Sequence, residues 1–191
     1  MKLIGSKVIL RDFIFDDLEQ FKFWNTGNKK WMEFDGPYYP KMTKAELENR
    51  ITIIKDQIKL NSWSEPRYRL VIAHKESNKF LGTISWYWQS KETNWKSIGI
   101  VICDEKAWGK AIGFDALSLW IDYLFKQDET LARLDLRTWS GNAGMIKLAQ
   151  KLGFSLEATF RKARVVKGEF YDSIGMGILR EEWAELNDIY S

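Results

Sequence analysis

Residues 105–116 read EKAWGKAIGFDA, and the turn within them, WGKAIG at 108–113, decides how the rest of the chain is read. Ahead of it, Ile98–Cys103 is a short apolar run, the pattern of a buried strand. Behind it, Phe114, Leu117, Ile121, Leu124 and Phe125 recur at helical spacing. A strand, a glycine-spaced turn and a helix in succession present free main-chain N–H groups at the positive end of a helix dipole. That setting attracts a phosphate. Gly109 and Gly113 permit close backbone approach, and Lys110 adds positive charge. Two common nucleotide loops do not fit. A P-loop needs Lys and then Ser or Thr after its last glycine, where this chain has Phe114-Asp115. A dinucleotide fingerprint needs G-x-G-x-x-G after the first strand of a βαβ unit, and that spacing is missing. Ala111 stands where such a loop most favours glycine. In a helical conformation alanine is comfortable there, and only a positive φ would oppose it.

Outward from this turn, a first strand is expected at Lys7–Leu10. A helix follows, capped by Asp16, with Glu19 three residues on and Phe15 just before. The segment WMEFDGPYYP at 31–40 is a loop dense in aromatics and turn formers. Thr43 and Glu46 form a capping box for a second helix running to about Leu60. Tyr68–His74 and Phe80–Trp88 read as paired strands around the polar turn 75–79. Leu134–Thr138 is a strand, and a helix from about Asn142 to Leu152 ends at Gly153. Phe154–Phe160 and Phe170–Leu179 close the pattern as strands, with Lys167-Gly168 in the turn. This order implies a mixed α/β (α+β) fold, a sheet with helices on its faces. No linker or repeat divides the chain, so 1–191 is expected to be a single domain.

Composition bounds the function classes. With 29 basic and 26 acidic residues the net charge is only +3, which excludes a dedicated nucleic-acid binder with a strongly basic face. The single cysteine suggests a reducing compartment. No apolar run is long enough for a signal segment or a membrane span, so a cytoplasmic protein without a membrane partner is expected. One histidine and one cysteine cannot build a zinc site, so no metal is expected. Cys103 has no histidine near it in sequence and reads as a small buried residue, and His74 as structural. Among the ten tryptophans, Trp86, Trp88 and Trp95 suit either a homodimer face or an acceptor cleft.

The turn, read with the later NAGMIKLAQKLGF at 142–154, resembles the two core motifs of the Gcn5-related N-acetyltransferases. LRDFIFDDLEQF at 10–21 and DSIGMGILREEW at 172–183 resemble the branch that acetylates ribosomal-protein N-termini. In the family loop [QR]-x-x-G-x-[GA], Trp108 takes the Gln/Arg place, Ala111 the first glycine and Gly113 the last.

The resemblance implies a central mixed, mostly antiparallel sheet, splayed at the strand before the loop. It implies that main-chain amides of Trp108, Gly109, Lys110, Ala111, Ile112, Gly113 and Phe114 hold the pyrophosphate of acetyl-CoA. Val101, Ile102 and Cys103 would flank the pantetheine arm. Asn142, which capping alone would explain, would touch that arm or the substrate, and Lys147 and Lys151 the adenosine phosphates. The implied activity is direct acetyl transfer to a primary amine. A protein N-terminus is the expected acceptor, and a polyamine or an aminoglycoside is the alternative. The family's usual acid, a tyrosine, is replaced by Ala149, and a serine used in the ribosomal-protein branch is replaced by Met145. Ser140 and Tyr171 are the remaining hydroxyl candidates. Glu33, Asp35 and Asp172 are acidic candidates for the base, and Trp31, Glu33 and Asp35 are expected to face the acceptor. The departures at 111, 145 and 149 leave open a CoA-binding sensor that does not turn over.

Overall fold

The computed structural model describes residues 1–190, with side chains through residue 186. The strands are β1 (Lys2–Ile4), β2 (Val8–Arg11), β3 (Arg69–His74), β4 (Phe80–Ser90), β5 (Trp95–Ile102), β6 (Arg133–Trp139), β7 (Ser155–Val166) and β8 (Glu169–Leu179). They form one eight-stranded sheet in the order β1-β2-β3-β4-β5-β6-β8-β7. Every pairing is antiparallel except that of β5 with β6. A parallel pair needs a crossover, and helix α3 (Ile112–Gln127) supplies it. The other helices are α1 (Asp17–Trp24), α2 (Lys44–Leu60), α4 (Ala143–Lys151) and α5 (Arg180–Tyr190).

Alternation along β3 shows why the sheet takes helices on both faces. Leu70 and Ile72 join a cluster with Leu117, Trp120 and Ile121 of α3. Val71 and Ala73 point the other way, into a cluster with Phe13, Phe21 and the α2 residues Leu47 and Ile51. The α1–α2 layer therefore covers one face over β2–β4, and the α3–α4 layer covers the opposite face.

One capping expectation changes for a physical reason. Asp16 makes no capping bond with its side chain. The next residue, Asp17, is buried and accepts from the two terminal nitrogens of the Arg11 guanidinium at 2.6 and 2.9 Å and from the Ile14 N–H. A buried guanidinium needs a carboxylate, and Asp17 is the one that faces inward. The Thr43–Glu46 capping box forms as expected, with both reciprocal bonds made. The first turn of α3 is tied to the sheet by Asp115, whose carboxylate accepts main-chain bonds from Ser6, Lys7 and Val8 at 2.7–3.0 Å.

Candidate active site

Strands β5 and β6 pair over only two rungs, Lys96 with Leu134 and Ser97 with Asp135. Beyond them β5 stays with β4 as far as Ile102, and β6 stays with β8 as far as Trp139. Each arm follows its own antiparallel partner, so the sheet opens into a V. A cavity of about 750 Å³ fills the opening, bounded by Ile98–Ile102, Leu136–Trp139 and the start of α3.

The free main-chain groups of this cavity follow from strand alternation. Cys103 donates to the Leu81 carbonyl at 2.8 Å, so Cys103, Val101 and Gly99 direct their main-chain groups toward β4. Ile100 and Ile102 direct theirs into the V. The Trp108 indole donates to the Ile102 carbonyl at 2.9 Å, as that alternation requires. The Ile100 N–H and C=O and the Ile102 N–H face the cavity.

At the far end of the V, Asp104 accepts from the Lys106 N–H at 2.9 Å and sets a short 3₁₀ turn, Glu105–Ala107. Gly109 and Ala111 both take left-handed conformations, with φ of 72° and 61°. Of the two cases weighed for Ala111, the structure shows the unfavourable one, the left-handed conformation that favours glycine. Ala111 is the N-cap of α3 and offers no side-chain acceptor, so the first N–H groups of the helix remain open toward the cavity. Gly113 serves packing. A Cβ there would come within 2.9 Å of Leu148 on α4 and 3.4 Å of Ile102.

The aromatic loop closes the cavity's other side because one carbonyl is held twice. The Phe34 carbonyl accepts from Trp139 Nε1 at 2.9 Å and from Asn142 Nδ2 at 3.2 Å. Asn142 also accepts from the Met145 N–H at 3.1 Å, so one amide both caps α4 and anchors the loop. Asp35 and Tyr38 thereby line the cavity. Asp35 keeps access to solvent, yet the surrounding protein raises its carboxyl above the usual range, and Arg69 partly opposes this. Burial also raises the Tyr38 phenol, with Arg164 opposing and its guanidinium 4.6 Å from the ring centroid.

A splayed sheet, an open helix start and an anchored loop around one cavity match a known protein family. The family profile described as an acetyltransferase (GNAT) domain matches residues 7–155. The chain belongs to the GNAT acetyltransferases. It is an N-acetyltransferase, and the donor its family uses is acetyl-CoA. Solved GNAT structures share the fold. An acetyltransferase from Bacillus anthracis aligns with a TM-score of 0.73 at 19% identity, covering 95% of this chain and 99% of that one. Spermidine N-acetyltransferase from Vibrio cholerae, in complex with CoA and spermine, gives 0.73 at 20% identity over 94% and 99%. Ribosomal-protein-S5-alanine acetyltransferase from Vibrio fischeri gives 0.71 at 20% identity over 96% and 98%. No curated protein matches the sequence.

In this GNAT enzyme the cavity brings together most of the residues expected at the site. Val101, Ile102, Trp108, Gly109 and Ala111 through Phe114 line it. So do Trp31, Asp35, Asn142, Lys147 and Lys151. The remaining six lie outside the lining, among them Asp172, whose carboxylate accepts from the Lys162 N–H at 2.8 Å. Cys103 turns into the α1–α2 cluster, and burial pushes its thiol up to about 12, with the charges of Asp35 and Asp104 adding to the effect. Glu33 is exposed and pairs with Lys30 at 3.1 Å, which holds its carboxyl below the usual range. The Ser140 hydroxyl accepts from the Asp172 N–H at 3.0 Å. Tyr171 packs edge-on against Trp139. Lys110 is exposed on the turn.

Sequence reasoning missed Ile100, Tyr38 and Arg137, which all line the cavity. Tyr38 lay inside the aromatic loop already singled out, so its phenol was a readable signal. Ile100 contributes main-chain groups, and only register identifies those. Trp86 and Trp88 flank the buried Lys96 ammonium at 5.3 and 4.8 Å from the ring centroids, a packing use that composition could not reveal. No helix among the described residues is long and apolar enough to cross a membrane, and none of their acidic, histidine or cysteine groups forms a metal-binding cluster.

Proposed function

We propose that this enzyme transfers an acetyl group directly from acetyl-CoA to the N-terminal amine of a protein, in a ternary complex. The observation that carries the reading is the continuity of one cavity from a free strand edge to an open helix start, with a carboxylate of raised pKa beside it. The residues fit the donor. The first N–H groups of α3 suit a pyrophosphate, the Ile100 and Ile102 edge suits the amides of a pantetheine arm, and Lys147 and Lys151 suit further phosphates. Acetyl-CoA supplies an activated thioester whose sulfur leaves as a thiolate.

The chain's own residues would do the rest. Asp35 accepts the proton that the amine must lose, a role suited to a carboxylate raised above its usual range. A main-chain N–H on the free edge of β5 polarises the acetyl carbonyl as negative charge builds there. The Tyr38 hydroxyl is a proton donor within the same cavity and fills the place left by Ala149 and Met145. Lining by Trp31, Phe34 and Trp108 excludes water from the reacting centre.

The ribosomal-protein enzyme of Vibrio fischeri, which shares the fold, supports a protein N-terminus as acceptor, and the spermidine enzyme of Vibrio cholerae supports a polyamine as the second reading. The aromatic loop favours the first. Of its two carboxylates Glu33 is spent on Lys30, which leaves Asp35 to meet one positive charge rather than several. The test is calorimetric titration with acetyl-CoA, then free-thiol release with N-terminal peptides, spermidine and an aminoglycoside. One-site binding with turnover on peptides is expected. Binding without turnover on any amine refutes catalysis, and turnover on spermidine alone transfers the function to the second reading.

A further inference from the structure

A second cavity, about 360 Å³, lies between α2 and the start of β3 and is lined by Arg50, Arg67, Arg69, Tyr68, Trp63 and Asn49. Its charges are unevenly used. The Arg67 Nε donates to Asp12 at 2.8 Å, and the same guanidinium pairs with Glu65. Arg50 and Arg69 have no carboxylate within 4.0 Å among the described residues. Arg69 Nε is buried and has no hydrogen-bond partner among the described residues. Burial, then the charge of Arg50, pulls the Arg69 guanidinium below its usual range, while Tyr68 and Asp35 oppose this. Glu46 shares the cavity, but its carboxylate is committed to the Thr43 N–H and hydroxyl at 2.7 and 2.8 Å. A buried donor normally finds an acceptor, and two guanidinium groups facing one concavity bind a carboxylate well.

The register of the sheet connects this cavity to the reaction cleft. Arg69 stands opposite Ser85, and Ser85 opposite Gly99. Directly opposed residues share a face, and a Cβ on Gly99 would lie 3.9 Å from the Ser85 hydroxyl. Gly99 lines the reaction cavity. Neighbouring strands lie about 4.8 Å apart, so Arg69 is about 10 Å across the sheet from the cleft. The small residues at 85 and 99 form a floor between them. An extended chain advances about 3.3 Å per residue, so its third or fourth residue would reach Arg69 with its first at the cleft.

We infer that this cavity takes an acidic side chain from the third or fourth residue of the acceptor peptide, bound by Arg69 and Arg50. The inference rests on the proposed peptide acceptor and narrows it. Asp35 meets the amine, the arginines meet the acid, and a polycation is disfavoured.

The experiment is steady-state thiol release with matched peptides carrying Glu, Gln or Lys at positions three and four, on wild type and on Arg69→Gln, Arg69→Lys and Arg50→Gln. The wild type is expected to prefer Glu over Gln by about tenfold in kcat/KM, through KM rather than kcat, because Arg69 lies away from the reacting atoms. Arg69→Gln should erase the preference and Arg69→Lys should keep part of it. Arg50 is exposed on α2, so Arg50→Gln gives a second reading in a variant whose fold is not at stake. Equal rates on Glu and Gln peptides, a preference for Lys, or a preference that survives both glutamine variants overturns the anion site while leaving peptide acetylation intact. No turnover on any peptide, with acetyl-CoA still bound, overturns the peptide acceptor and this site together.

Discussion

Ala111→Gly should stabilise the enzyme and tighten its hold on acetyl-CoA. The Ala111 backbone has φ 61° and ψ 10°, in the left-handed region. There a Cβ crowds the neighbouring carbonyl at a cost of about 1–2 kcal/mol. Glycine removes that cost but widens the unfolded ensemble, which returns about 0.4–1 kcal/mol. Position 111 is also the N-cap of α3, where glycine is preferred to alanine. The net expectation is a gain of about 0.5–1 kcal/mol, which corresponds to about 1–4 °C in Tm for a chain of this size.

Scanning calorimetry of wild type, Ala111→Gly and Ala111→Val measures it. The β-branched variant should lose stability, because a branched Cβ tolerates the left-handed region worst. Titration with acetyl-CoA should show tighter binding by the glycine variant, since the amides proposed to meet the pyrophosphate lie on this turn. A glycine variant that melts at or below the wild-type temperature, beside a valine variant that melts unchanged, would refute the left-handed assignment. The strain argument falls with it.

Other expectations follow from the polar and titratable groups. Asp35→Asn should lower kcat about 100-fold if Asp35 is the base. Because enclosure raises its carboxyl, the wild-type rate should climb with pH along a limb above the ordinary aspartate range. The variant should lose that limb, and a limb that persists assigns the base elsewhere. Asp128→Asn strands the Lys96 ammonium, 3% exposed and 2.6 Å from Asp128, between two indoles. Partial exposure of Asp128 discounts the cost of a broken buried pair to about 2 kcal/mol, readable by urea denaturation. Burial would raise the Asp128 carboxyl, but Lys96, Thr130 and Asn94 hold it well below its usual range. The folded state then binds fewer protons, so this stability is present above the unfolded pKa of about 3.9 and is lost as pH falls below it. The variant should show a flatter acid side. Cys103, with its thiol pushed up to about 12, should resist alkylation in the native protein at neutral pH. Rapid labelling would mean that the α1–α2 layer opens.

What the sequence made legible was local. The glycine turn, the amphipathic stripe of α3, the Thr43–Glu46 cap and the Lys167-Gly168 hairpin turn each draw their signal from a few adjacent residues, and each formed. Strand β1 spans three residues, too few to show alternation. Helix α5 follows β8 without a Ser, Thr, Asp or Asn cap. The Glu182 carboxylate accepts the Leu179 N–H instead, a device with no signature of its own. The apolar run Ile98–Cys103 has the pattern of a buried strand, yet Ile98–Ile102 line the reaction cavity. A groove that takes an apolar ligand arm and a groove that takes a helix call for the same side chains. Ala111 hid a backbone angle, which no side chain reports.

The acceptor side was the least legible part, because it is assembled by register. Residues 69, 85 and 99 belong to three strands and carry an arginine, a serine and a glycine, and no spacing rule joins them. Pairing puts them in one row, and the row runs from an arginine with no carboxylate partner among the described residues to the edge of the reaction cleft. Asp35 reaches the same cleft from a different direction, on a loop fixed by two bonds to a single carbonyl. Charge therefore changes sign across the acceptor side, negative at Asp35 and positive at Arg69. That ordering favours an amine followed by an acid over a string of amines. It arises from strands whose pairing is dictated by the core beneath them, so on the proposed reading acceptor choice would depend on register as much as on the residues that make contact.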